Sequence, residues 1–289
     1  MQNETTRNET TQNETTQSRI LLFIPGYNCE KQIQRVLDQL EGEIAGYLSK
    51  IIVVNNRSTD NTEQAVIEWA TRHAETDISL LRNDANYNLG GSHKVAFEYA
   101  IKGGFDYVIV LHGDDQGSVG DMLPLLRGGA YEAYDCCLGS RFMRGSALIG
   151  YSVLRTAANR VFNLWFSIVT FRRLSDLGSG LNLYKVEPLK KRYYMRYPDK
   201  LFFNGVMLLA TAFYRQKVKF FPISWREADQ VSNAKLFDIG VELLKMTANY
   251  LFRRNRYMES DMRRDPVKEY AYQVIFDSGD YFDAKREGT

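Results

Sequence analysis

The chain of 289 residues carries 37 Lys and Arg against 35 Asp and Glu, a net charge of +2, so no bulk field recruits nucleic acid. Apolar residues make up 44%, enough to build the core of one large or two small domains. Three cysteines, two of them the adjacent Cys136 and Cys137, make a poor disulfide framework and point to a reducing compartment. The three histidines, His73, His93 and His112, leave little for triad or His-rich metal chemistry. No stretch reaches the roughly 18 to 20 apolar residues of a membrane span. The N-terminus lacks the basic and apolar run of a secretory signal.

Residues 2–16 read QNETT, RNETT, QNETT, polar repeats that bury too little to offset ordering entropy, so residues 1–18 are expected to form a disordered tail. From Arg19 short apolar runs alternate with helical periods. Ile20–Ile24 reads as a buried strand, followed by a helix with Ile33, Val36, Leu37 and Leu40 on one face and Asn28 as its cap. Ile51–Val54 is a second strand; Asp60 and Glu63, at capping-box spacing, open a helix to about Glu75. Ile78–Leu81, Tyr107–Leu111 and Cys136–Leu138 are further strands, and Ser92–Lys102 is a helix closed by Gly103 and Gly104. Later come helices over Val153–Phe171 and Leu201–Arg215, a Gly-rich turn at Asp176–Gly180, a strand at Val218–Ile223 and an amphipathic stretch, Leu236–Phe252. The segment from Tyr257 is polar and has no clear period.

Apolar strands alternating with helices imply an α/β fold, a mostly parallel central sheet with helices on both faces. Ligands of such sheets bind beyond the carboxyl ends of the strands. The polar clusters Pro25–Asn28, Asn55–Asp60 and His112–Gln116 all follow strands, so they converge on one edge. In the last cluster Asp114 and Gln116 offer hard oxygen ligands suited to Mg²⁺ or Mn²⁺ beside a diphosphate; the bland alternative is a strand-ending turn. Neither GxGxxG nor GxxxxGK[ST] is present. The run from Asn88 to Lys94, with Gly90 and Gly91, is a candidate phosphate device or simply a loop and helix cap.

The ordered series Ile24-Pro25-Gly26-Tyr27-Asn28, Val54-Asn55-Asn56-Arg57-Ser58, Asn88-Leu89-Gly90-Gly91, His112-Gly113-Asp114-Asp115-Gln116 and Gly139-Ser140-Arg141-Phe142 resembles the family-2 glycosyltransferases. Asp176-Leu177-Gly178-Ser179-Gly180 and Pro222-Ile223-Ser224-Trp225-Arg226 narrow the similarity to the dolichol-phosphate mannosyltransferase-like branch, over residues 19–235. The resemblance implies a GT-A fold, a UDP- or GDP-sugar donor, a divalent metal (Mg²⁺ or Mn²⁺) and inversion at the anomeric carbon. It implies that Pro25, Tyr27 and Asn28 line the nucleoside pocket, with Asn55 or Asn56 holding the base or ribose; Gly90 and Lys94 of the glycine-rich run are the candidates for contact with the phosphates. It implies that Asp114 and Gln116, with His112 or Asp115, hold metal and diphosphate. Arg141 would face the transferred group or the acceptor phosphate, and Asp176 and Ser179 would sit in the acceptor loop, Asp176 as general base should the acceptor be a hydroxyl.

Two departures stand out. Asn55-Asn56-Arg57-Ser58 replaces the usual Asp-Asp-Gly-Ser, and His112 replaces the first acid of Asp-x-Asp. They keep open a catalytically silent sugar-nucleotide-binding or interaction protein; a nucleotidyltransferase is a weaker third reading. The expected acceptor is a polyprenyl phosphate, another lipid-linked acceptor or a surface glycan, and the expected location is cytoplasmic. The amphipathic segment over 236–289, with Arg253, Arg254, Arg256, Arg263 and Arg264, suits packing on its own domain or on a second copy as a homodimer, or peripheral contact with a membrane.

Overall fold

The computed structural model describes residues 18–228 and 236–287. All of the repeat tail except Ser18 lies outside the described residues. The first half alternates as expected: β1 (Ile20–Gly26), α1 (Glu30–Asp38), β2 (Lys50–Asn55), α2 (Thr62–Arg72), β3 (Ile78–Asn83), α3 (Asn88–Lys102) and β4 (Tyr107–Leu111). β1 lies parallel between β2 and β4, and β2 parallel to β3. Its residues alternate between two cores. Leu21 and Phe23 join Val95, Phe97 and Ala100 of α3 on one face, while Ile20, Leu22 and Ile24 meet Ile33, Val36 and Leu37 of α1 and Val66 and Trp69 of α2 on the other. Burial on both faces is what an uninterrupted apolar strand requires.

The second half continues through α4 (Leu123–Arg127), β5 (Cys136–Ser140), β6 (Ala147–Ile149), α5 (Val153–Thr170), β7 (Leu181–Lys185) and α6 (Val186–Leu189). Then follow α7 (Phe203–Phe213), β8 (Val218–Pro222), β9 (Ser224–Arg226), α8 (Leu236–Glu259), β10 (Tyr272–Asp277) and α9 (Ser278–Glu287). The main sheet has the order β10-β3-β2-β1-β4-β7-β5-β8, with β7 antiparallel to β4 and β5 and β10 antiparallel to β3. β6 and β9 form a separate parallel pair beside it.

β7 escapes a reading of local pattern because it follows a Gly-rich turn without a break, yet Leu181 and Leu183 are fully buried. β10, from the segment that follows the amphipathic stretch, closes the edge of the main sheet beside β3. α3 starts at Asn88, so the Asn88–Lys94 run is the first two turns of a helix and not a loop before one. α8 is kinked at Arg253 (φ −140°, ψ 36°). Among the described residues no helix is long and apolar enough to cross a membrane.

Candidate active site

Three of the expected clusters do meet at the carboxyl ends of β1, β2 and β4, and backbone bonds lace them together. Gly113 N donates to Pro25 O (3.2 Å) and Asn56 N to Gly26 O (2.9 Å). Asn28, in the left-handed region (φ 49°), accepts from Thr59 N through Oδ1 at 2.8 Å, and its own amide donates to Ser58 Oγ at 2.9 Å. Asn28 therefore ties the β1 and β2 loops instead of capping α1, whose N-cap is Cys29. Tyr27 stands half-exposed above this seam.

The acidic turn presents its two carboxylates to opposite sides, since Asp115 has φ 57°. Asp115 is buried and accepts from Arg35 Nε (2.7 Å), Arg226 Nη2 (2.9 Å) and Gln39 Nε2 (3.1 Å). With two arginines and an amide on it, Asp115 is a brace, which removes it from the expected metal-ligand set. Asp114 instead lines a cavity of about 340 Å³ together with His112, Gln116, Arg141, Arg155 and Trp225. Burial pushes the Asp114 carboxyl up to about 6, and burial together with the Arg141 charge holds His112 down at about 4, a neutral imidazole at pH 7. Gly180 makes room for that ring: a Cβ there would lie 2.9 Å from His112 Cγ.

Buried polar atoms without partners are uncommon in folded proteins and call for an explanation. Three of them, His112 Nε2, Asn204 Oδ1 and Trp225 Nε1, belong to residues lining this one cavity. The oxygens of Asp114 and Gln116 suit Mg²⁺ or Mn²⁺. Among the described residues no group of three or more His, Cys, Asp or Glu could hold a metal ion.

Arg141 and Asp176 form a bidentate pair, Nε to Oδ2 and Nη2 to Oδ1 both at 2.8 Å, and Arg141 N also reaches Oδ2 at 3.0 Å. Burial alone would lower the Arg141 pKa, but Asp176 more than offsets this and fixes the guanidinium in its charged form. The same guanidinium stacks 5.1 Å from the rings of Trp225 and Phe142. Asp176 is 2% exposed and absent from the cavity lining. It is the positioning partner of Arg141 and is not placed to act as a base. Sequence reasoning missed Arg155, from α5, which lines the same cavity and is oriented by Glu227 at 2.6 and 2.9 Å.

Four other expectations are corrected. Lys94 is fully buried, with Nζ donating to Tyr197 O (2.6 Å), Asp199 Oδ1 (2.6 Å) and Tyr270 OH (3.0 Å), all three ammonium protons occupied away from the donor. Gly90 does allow close approach, but to the chain itself: its amide donates to Asp199 O at 2.6 Å and a Cβ would lie 2.5 Å from Pro198 O. Asn55 and Asn56 are buried, the first bonded to Glu63 and Ser58, the second to Asn83, Asn86 and Tyr87 N. These amides brace the β2 end and leave Pro25, Tyr27 and Asn28 as the nucleoside candidates. Ser179 is buried and donates to Leu181 O at 3.1 Å, facing away from the cavity.

Burial lowers the Lys94 pKa to about 8 against the opposing pull of Asp199. Lys94→Met is expected to cost about 2 to 4 kcal/mol, because it strands the partly buried Asp199 carboxylate, while the Michaelis constant for the donor stays unchanged. Denaturant melts and donor titrations of the variant check both halves.

An acidic turn and an arginine-lined cavity at the carboxyl end of a mostly parallel sheet define a GT-A nucleotide-sugar transferase fold. Crystal structures share it. Glucosyl-3-phosphoglycerate synthase from Mycobacterium tuberculosis, with Mn²⁺, UDP-glucose and glycerol 3-phosphate, superposes at TM-score 0.54 with 16% identity over 80% of this chain and 79% of that one. S. aureus TarS with UDP-GlcNAc superposes at 0.54 with 16% identity over 80% of this chain, which spans 65% of the TarS structure. The chain belongs to glycosyl transferase family 2, whose model matches residues 22–192. It is a glycosyltransferase. The chain is 24% identical to an undecaprenyl-phosphate mannosyltransferase of Micrococcus luteus over 60% of its length and 68% of the relative's. To a UDP-N-acetylglucosamine–dolichyl-phosphate N-acetylglucosaminyltransferase of Methanococcus voltae it is 23% identical, over 59% and 71%.

Proposed function

We propose that the protein transfers one sugar from a UDP- or GDP-sugar to a polyprenyl phosphate with inversion. The observation that carries this is the cavity in which Asp114 and Gln116 share walls with the cations Arg141 and Arg155 and with His112, Asn204 and Trp225, each bearing a buried polar atom without a partner. Both curated relatives named above are glycosyltransferases of polyprenyl phosphates, which supports the same acceptor class here.

Asp114 and Gln116, with the unpartnered His112 Nε2 beside them, are the residues that would hold Mg²⁺ or Mn²⁺. When bound, the ion supplies positive charge to the departing diphosphate. Pro25, Tyr27 and Asn28 seat the nucleoside. Arg141, locked by Asp176, and Arg155, locked by Glu227, hold the acceptor phosphate opposite the diphosphate. A phosphate oxygen attacks the anomeric carbon, the bond to the diphosphate breaks with its electron pair leaving on the nucleotide, and configuration inverts. The attacking oxygen is already anionic, so no side chain has to take a proton. This agrees with the burial of Asp176 against Arg141.

The test is transfer of labelled sugar from each UDP- and GDP-conjugate to a short-chain polyprenyl phosphate, with Mn²⁺, with Mg²⁺ and with chelator. The expected result is a lipid-linked product from one donor, abolished by chelation. Transfer only to a free sugar or glycan hydroxyl would refute the acceptor, and donor binding without turnover would revive the silent reading.

A further inference from the structure

Fourteen large apolar side chains are exposed among the described residues; seven lie on α5 and its C-cap and three on α8. The two helices pack together, with Trp165 Nε1 donating to Thr247 Oγ1 at 2.9 Å. At 100° per residue, Trp165, Ile168 and Leu164 form one continuous arc of α5, and Leu251, Leu244 and Phe252 one arc of α8. Each arc begins at the Trp165–Thr247 seam, so the two make a single apolar face. Phe171, 90% exposed, ends α5 in the left-handed region at φ 54°.

Charge identifies what covers it. Residues 153–173 contain four Arg and no Asp or Glu, and α8 adds Lys245, Arg253, Arg254 and Arg256 against Asp238, Glu242 and Glu259, so the cations gather at the ends of the two helices beside Phe171 and Phe252. A second copy meeting this face about a two-fold axis would set cations against cations. An apolar stripe flanked by an excess of arginines fits an anionic lipid surface, where the rings enter the acyl boundary and the arginines meet headgroup phosphates.

We propose that α5 and α8 form a monotopic membrane-docking face for anionic bilayers, with Trp165, Ile168, Phe171 and Phe252 inserted and Arg173, Arg253 and Arg256 on the headgroups. The same helices wall the active-site cavity through Arg155 and Asn159 of α5 and Leu243 of α8. Docking would bring that cavity to headgroup depth; its bearing on catalysis rests on the acceptor reading above, whereas the docking itself rests on the two helices.

The full-length protein is to be mixed with phosphatidylglycerol/phosphatidylcholine vesicles and sedimented, and its tryptophan emission quenched with brominated lipid. Trp69 and Trp225 are buried, so quenching reports on Trp165 and should disappear in Trp165→Phe. The expected result is binding that requires phosphatidylglycerol, weakens with salt and falls at least about tenfold in Ile168→Glu/Phe252→Glu, exposed positions whose replacement leaves the core intact. Phe171→Asn, which suits the left-handed backbone, should weaken binding without loss of melting temperature. Wild-type protein that stays in the supernatant, or a double variant that binds undiminished, overturns the inference. So does a double variant whose sole change is dissociation of a dimer. Transfer to a soluble short-chain prenyl phosphate separates the two claims. If it persists while vesicle binding fails, docking is wrong and the acceptor reading survives; vesicle binding without transfer to any prenyl phosphate leaves docking standing alone.

Discussion

Asp114→Asn is expected to lower transfer by about a thousandfold or more while raising stability, since removing one preorganised electrostatic contact typically costs about 10² to 10³ in turnover and this carboxylate would also hold the ion. The stability gain follows from the same burial that suits Asp114 to its task. Its carboxyl sits near 6 in the fold against 3.8 for the free side chain. The folded state therefore binds more protons than the unfolded chain between those values, and stability falls as pH rises through that window. Above pH 6 the full cost is present, about 1 to 3 kcal/mol for a shift of this size on a partly buried group. The neutral amide removes it. Asp114→Asn should melt several degrees above the parent at pH 7.5 without metal, and the advantage should vanish by about pH 4. Equal melting temperatures at both values would show that Asp114 is not strained in the fold, and retained transfer would take it out of the site.

Much of the fold is legible in the sequence because parallel strands buried on both faces leave a pattern that little else leaves. β1, β2, β3 and β4 appear as unbroken apolar runs, and the position of Asp114 beyond β4 follows from strand order alone. What local pattern cannot convey is which side a polar residue faces. Asp114 and Asp115 are neighbours in the chain, yet the positive φ of Asp115 sends one toward the cavity and the other to Arg35 and Arg226. Lys94 looks like an anion ligand in the first turns of a helix, but its partners lie 103, 105 and 176 residues away, beyond any motif. Asn55 and Asn56 read as weakened nucleoside ligands for the same reason, whereas in the fold they brace the β2 end. β10 and the exposed arc of α5 were hidden differently. An edge strand needs only its neighbour's backbone, and a periodic helix does not state which of its faces the domain leaves uncovered.

The second large effect is expected at Asp176. If this carboxylate were a general base, Asp176→Asn would spare the fold, lower turnover and erase the acidic limb of the pH–rate profile. The structure predicts otherwise. Arg141 is 11% exposed on its side chain and Asp176 1%, and neutralising one partner of so buried a pair leaves an uncompensated charge, costing about 3 to 5 kcal/mol. At roughly 2 to 4 °C per kcal/mol in a chain of this size, the melting temperature should fall by about 10 °C. Arg141 would no longer be held by the fork of two 2.8 Å bonds, so the Michaelis constant for the acceptor should rise more than turnover falls, and the pH profile should keep its shape. Arg141→Lys should reproduce the acceptor defect, because an ammonium cannot span both carboxylate oxygens while stacking on Trp225. A variant at Asp176 with unchanged stability and a flattened pH profile would return that residue to the chemistry and require a hydroxyl acceptor in place of a phosphate.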